Sequence, residues 1–178
     1  EGLITSGKKD STGICFIGER PFPEFLNNYL SHNPGKILDE YGTEIGEHKG
    51  LPFYTLGQRQ GLGIGGMKNS TNSAWYVAKK DLANNILIAV QGINHPLLMS
   101  SKLDTRNLEL VNPIENKKFS GKAKIRYRQE DQDCQIEIMN NKLKIKFVQP
   151  QRAVTPGQSV VIYQDEVCLG GGEIQNIS

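Results

Sequence analysis

The chain has 178 residues, 37% of them apolar and 22% charged, which is ordinary for a folded protein of one domain or two small ones. A net charge of +2 is too small to imply a nucleic-acid partner by itself, so any such reading must come from where the charges fall. Nineteen glycines and eight prolines point to many turns and hence many short strands.

The first informative segment is Lys8-Lys9-Asp10-Ser11-Thr12-Gly13-Ile14-Cys15-Phe16-Ile17-Gly18-Glu19-Arg20. Cys15 stands between a polar Ser-Thr-Gly turn and a short apolar run, with Lys8, Lys9 and Arg20 close in sequence. Positive potential favours the thiolate, the form that acts as nucleophile. An unpaired cysteine usually behaves as a small buried hydrophobe, and local chemistry alone favours that reading over the reactive one. Cys134 and Cys168 are widely spaced. There is no CxxC and no Cys/His cluster at metal-ligand spacing, so neither a disulfide framework nor a metal site is expected. No apolar run resembles a signal-peptide core or a membrane span, and a reducing, cytoplasmic setting without membrane attachment is expected. Glu1 falls inside what reads as a continuing segment, so the chain is expected to be a piece of a longer protein.

Pro23 and Glu24 suit a first helical turn, and Phe22, Phe25, Leu26, Tyr29 and Leu30 follow at helical spacing before the breaker Asn33-Pro34-Gly35. From Lys36 to Gln91 the pattern is β. Residues 39–44 read as a turn, and Trp75–Ala78 and Ile86–Val90 flank a hairpin turn at Asn84-Asn85. The glycine-rich run from Gly61 to Gly66 lacks the strand-to-helix context of a phosphate-cradling loop. It reads better as a loop packed closely on its neighbours, with Gln58 and Arg59 suited to touching an RNA backbone. Residues 92–101 read as a linker.

Beyond it, alternation is clear. In Lys122-Ala123-Lys124-Ile125-Arg126-Tyr127-Arg128 even positions are cationic and odd ones apolar or aromatic, and Lys142–Phe147 repeats that parity. Period-two alternation predicts strands with an apolar inner face and a basic outer stripe, and it points the Tyr127 ring inward. Lysines at outward strand positions often serve only solubility and edge protection. Yet residues 117–128 hold six cations and no acid, with a tyrosine interleaved, a composition suited to phosphate pairing and base contact. Asn140-Asn141 and Gln164-Asp165 read as hairpin turns. Gly170-Gly171-Gly172 reads as a barrel corner or a close backbone contact.

Five segments together carry a resemblance: residues 10–20 around Cys15, Thr55-Leu56-Gly57-Gln58-Arg59 through Gly66, Arg126-Tyr127-Arg128-Gln129, Thr155-Pro156-Gly157-Gln158-Ser159 and Val167-Cys168-Leu169-Gly170-Gly171-Gly172. In order and spacing they resemble the bacterial tRNA-specific 2-thiouridylases, the MnmA family. The resemblance implies a mainly β chain made of three parts. Residues 1–33 would be the tail of an α/β catalytic domain, 34–98 a small central β domain, and 99–178 a six-stranded carboxy-terminal β-barrel. The family's Ser-Gly-Gly-x-Asp-Ser phosphate loop and first catalytic cysteine have no counterpart here. ATP and magnesium would therefore be bound by an amino-terminal domain outside this chain, and the chain alone would be inactive. By resemblance Cys15 is the catalytic cysteine that carries a persulfide sulfur to C2 of the wobble uridine, after ATP-dependent adenylation makes the oxygen there a leaving group. It would close a disulfide with the first cysteine. Arg126, Tyr127 and Gln158 would contact tRNA, and Cys134 and Cys168 would be structural. The implied partners are tRNA and a sulfur-relay persulfide donor, and a monomer is expected. Two other readings stay open on the residues alone. One is a non-catalytic RNA-binding β-barrel module; the other is a sulfur-carrier protein that uses Cys15 without tRNA.

Overall fold

The computed structural model describes residues 33–64 and 73–178. Cys15, the proposed helix around Phe22–Leu30 and Gly65-Gly66 lie outside the described residues.

Two β sheets organise the rest. The first holds β1 (Gly35–Leu38), β2 (Glu44–His48), β3 (Trp75–Asp81) and β4 (Ile86–Gln91) in the order β2-β1-β4-β3, with β1 parallel to β4 and the other pairs antiparallel. Asp39 starts the β1–β2 turn, its carboxylate accepting from the Tyr41 and Thr43 amides at 2.9 and 2.7 Å. Asn85, at φ 55°, closes the β3–β4 hairpin in a backbone region that asparagine tolerates. Ile37, Val77, Leu87 and Ala89, all fully buried, form the centre of this sheet's core. Buried His48 joins the hairpins. Its Nε2 lies 3.1 Å from the Asn85 carbonyl and its Nδ1 3.1 Å from the Gly50 amide, so Nδ1 accepts and Nε2 donates.

The second sheet is a closed six-stranded barrel. It comprises β5 (Met99–Thr105), β7 (Lys118–Lys124), β8 (Gln132–Met139), β9 (Lys142–Arg152), β10 (Ser159–Gln164) and β11 (Val167–Ile177), with the two-residue β6 (Glu109–Leu110) appended to β11. The order β10-β7-β8-β9-β5-β11 returns to β10, which leaves no unpaired barrel edge. Alternation in Lys142–Phe147 is realised position by position: Leu143, Ile145 and Phe147 are buried, and the three lysines are exposed. Asn140 and Asn141, at φ 51° and 58°, turn β8 into β9 as expected. Glycines 170–172 are where backbones approach. A Cβ on any of them would lie within 2.4 Å of a main-chain oxygen, those of Glu109, Val160 and Asn107 respectively. Strand β11 thereby pairs with β10 and β6 in its first half and with β5 in its second, closing the barrel.

The expected linker is shorter than residues 92–101. A 3-10 turn at Pro96–Leu98 leads directly into β5 at Met99. The sheets are tied together by Arg152. Its Nε donates to the Ile93 carbonyl at 3.0 Å, its Nη2 to the Gly57 carbonyl at 3.2 Å, and its guanidinium lies 4.9 Å from the Tyr76 ring centroid.

Candidate nucleic-acid interface

Strand β7 ends at Lys124, four residues before the end of the alternating pattern at Arg128. Its end is fixed by side chains distant in sequence. The Gln129 Oε1 accepts from the Ile125 amide at 3.0 Å, and its Nε2 donates to Gln151 Oε1 at 2.7 Å. Gln151, almost fully buried, donates in turn to Gln132 Oε1 at 2.9 Å and to the Gln149 carbonyl at 2.7 Å. With Gln129 N donating to the Arg126 carbonyl at 3.2 Å, residues 126–129 form a turn instead of continuing the strand. The inward placement of Tyr127 is thereby corrected. Parity does not reach it, and its side chain is 67% exposed.

The second wall comes from Thr155-Pro156-Gly157-Gln158. Gln158 N donates to the Thr155 carbonyl at 3.2 Å, with proline second and glycine third at φ +88°, which makes a type II turn. Backbone bonds between this turn and Ile174, 2.8 Å in each direction, anchor Gln158 to β11. Arg126 Nη2 donates to the Ala153 carbonyl at 3.2 Å, linking the two turns. The result is an open cleft of about 470 Å³ lined by Lys124, Arg126, Tyr127, Gln158 and Tyr163. Arg126 and Tyr127 from one segment and Gln158 from another thus share one cavity.

Electrostatics around the cleft are not simply basic. Asp131, just beyond the acid-free run, bridges Lys124 at 3.0 Å and Lys122 at 3.6 Å. The Lys124 hydrogen bond holds the Asp131 carboxyl below its usual range and raises the lysine. Lys124 Nζ also stands 5.4 Å from the Tyr163 ring centroid, while burial raises the tyrosine hydroxyl, which stays protonated at neutral pH. Tyr163 had no signal beyond hairpin membership, because its place opposite Lys122 depends on the long-range β7–β10 register.

Two other sequence readings gain structural detail. Gln58 accepts from the Thr55 amide at 2.9 Å and donates to the Gln60 carbonyl at 2.8 Å, so its side-chain amide pins its own turn. The β9 lysines face a mixed surface. Lys144 lies opposite Glu137 on one side and Asp104 on the other, and Lys118 also faces Glu137. That face of the barrel is a solvated, charge-balanced one. The described part of the glycine-rich run, residues 61–64, is turn and loop. Among the described residues no group of three or more His, Cys, Asp or Glu side chains could hold a metal ion. None of the described helices is long and apolar enough to cross a membrane. Cys134 is buried, its Sγ 3.6 Å from the Gly121 carbonyl, and Cys168 is half-buried; both are free thiols.

Residues 23–91 match the family described as the tRNA methyl transferase PRC-barrel domain, and residues 100–174 match the aminomethyltransferase β-barrel domain. Fold and matches together define a PRC-barrel-type β domain followed by an aminomethyltransferase-type β-barrel. The tRNA-specific 2-thiouridylase MnmA of Francisella tularensis subsp. tularensis (strain WY96-3418) is 57% identical over 174 residues, 97% of this chain and 48% of that protein. Its counterpart in F. tularensis subsp. novicida (strain U112) is 56% identical over the same shares. The chain belongs to the tRNA-specific 2-thiouridylase family and matches its carboxy-terminal part. It spans about half the length of the curated relatives it matches, 48%.

Proposed function

We propose that the chain is the tRNA-holding and sulfur-delivering half of an enzyme that thiolates C2 of the wobble uridine of tRNA. The observation that carries this reading is the convergence of Arg126, Tyr127 and Gln158 on one open cleft, in a chain whose relatives are named for tRNA thiolation. Each residue has a suitable task. A guanidinium pairs with phosphate through a planar fork. An exposed tyrosine offers a stacking face, and a glutamine amide can donate to and accept from ribose or base edges.

Cys15 is the proposed carrier of the sulfur, as a persulfide received from a donor protein. Sulfur delivered to C2 displaces the oxygen, whose departure needs prior ATP-dependent activation. That activation is assigned to a part of the enzyme outside this chain, because the family's Ser-Gly-Gly-x-Asp-Ser phosphate loop has no counterpart in this sequence. The chain by itself is therefore inactive toward tRNA.

The test of tRNA holding is a double substitution, Arg126→Ala with Gln158→Ala, in the complete gene product. Loss of a charge-assisted hydrogen bond of about 1.5–3 kcal/mol should weaken tRNA binding roughly tenfold or more. The melting temperature should change little, because both side chains are exposed. Filter binding at wild-type affinity would place the RNA surface elsewhere.

A further inference from the structure

The turn that walls the Tyr127 cleft is gripped at both ends by one short segment, Gln151-Arg152-Ala153. At one end the Ala153 carbonyl accepts from Arg126 Nη2 at 3.2 Å. At the other, Gln151 Oε1 accepts from Gln129 Nε2 at 2.7 Å, and Gln129 Oε1 accepts from the Ile125 amide at 3.0 Å. Tyr127 stands exposed between the two grips. Gln151 itself has no N–H left to offer RNA. It is almost fully buried, and both N–H bonds of its amide are taken, by Gln132 Oε1 at 2.9 Å and the Gln149 carbonyl at 2.7 Å. A buried amide bonded to three separate residues fixes geometry and does not recognise a ligand. Ala153 adds an independent observation. Its φ is 52°, in the left-handed region that a residue with a β-carbon rarely adopts. Such a conformation persists only where its surroundings over-determine it, and here the Ala153 carbonyl meets Arg126.

We propose that Gln151 is a positioning residue for tRNA binding, acting through Gln129 to hold residues 126–129 in the turn that presents Arg126 and Tyr127. Resting on the tRNA reading above, this role gives the RNA-facing side chains a support that RNA never touches. The turn needs such support, because the alternation of residues 122–128 favours a continued strand. Continued pairing beyond Lys124 would turn the Tyr127 ring inward, away from the cleft. The glutamine chain opposes that local preference by capturing the Ile125 amide and the Gln129 side chain together.

The experiment measures binding of a tRNA transcript to the complete gene product carrying Gln151→Leu, Gln129→Leu or both, with the Arg126→Ala/Gln158→Ala variant alongside. Gln151→Leu should weaken binding about 3- to 10-fold, the worth of one neutral hydrogen bond. Added to Gln129→Leu it should cost nothing further, because the route through Gln129 is already cut, whereas a general loss of packing would add to it. In thiolation assays the KM for tRNA should rise with kcat unchanged, since the turn holds the substrate without touching the reacting carbon. Where Gln151→Leu is unfolded at the assay temperature, Gln129→Leu decides alone, its site being only half-buried, and an unchanged KM overturns the role. If Gln151→Leu binds as wild type, or its effect adds to that of Gln129→Leu, while the Arg126→Ala/Gln158→Ala variant still loses binding, the positioning role is wrong and the tRNA reading survives. If that last variant binds as wild type, both fall.

Discussion

Removing the Arg152 side chain should loosen the junction between the two sheets. Replacing it with methionine keeps an unbranched aliphatic stem but deletes the guanidinium over Tyr76 and the bonds to the Ile93 and Gly57 carbonyls, 3.0 and 3.2 Å. Hydrogen bonds from a charged donor contribute about 1.5–3 kcal/mol each when well shielded, and a cation over an aromatic ring about 0.5–2 kcal/mol. Ile93 is 53% exposed, so water can reach its freed carbonyl, and the lower end of each range applies. The expected loss is about 2–4 kcal/mol, treated as non-additive. Urea unfolding provides the assay, and the protein supplies its own local probe. Trp75, the sole tryptophan, lies on β3 of the first sheet, whereas far-ultraviolet dichroism reports both sheets. Arg152→Met should move the fluorescence midpoint to lower urea and separate it from the dichroism midpoint, because the sheets then unfold independently. A variant within about 0.5 kcal/mol of the parent, the range of an ordinary surface change, would refute the tie.

Burial and the neighbouring Asp133 charge push the Cys134 thiol up to about 12 from an ordinary 9.0. Iodoacetamide at pH 8 should leave it unmodified until the protein is unfolded, and rapid native labelling would contradict its structural role. The same shift gives a pH dependence: between about pH 9 and 12 the unfolded chain loses this proton and the folded chain keeps it, so stability should fall with rising pH across that window. Asp131→Asn releases Lys122 and Lys124 beside the Tyr127 cleft, and should strengthen tRNA binding at low salt and steepen the salt slope by up to about one unit. Unchanged binding would mean that those lysines do not face RNA.

Local signals carried much of the fold. Asn85, Asn140, Asn141 and Asp165 all sit at positive φ in turns, where their short polar side chains are tolerated, so the hairpins were readable from residue type. The β9 alternation was readable because each lysine is flanked by residues that must be buried. What failed was the end of β7. Nothing near Ile125 announces that Gln129 will bond to its amide, and Gln129 is itself held by Gln151, a residue 22 positions away. The same limit hid Asp131's neutralisation of the basic run and Tyr163's place in the cleft, both consequences of strand register. Arg126, Tyr127 and Gln158 came from motif resemblance, and only the meeting of two turns at Ala153 explains why they share a cavity.

The central claim, sulfur delivery to tRNA from Cys15, is tested most directly by mass spectrometry of digested tRNA after reaction with the complete gene product carrying Cys15→Ser. A hydroxyl cannot hold a sulfane sulfur and has no accessible anion at neutral pH. The account predicts no 2-thiouridine from Cys15→Ser, near wild-type tRNA binding by the same variant, and retained activity in Cys134→Ser. Thiouridine formed at wild-type levels by Cys15→Ser would contradict it.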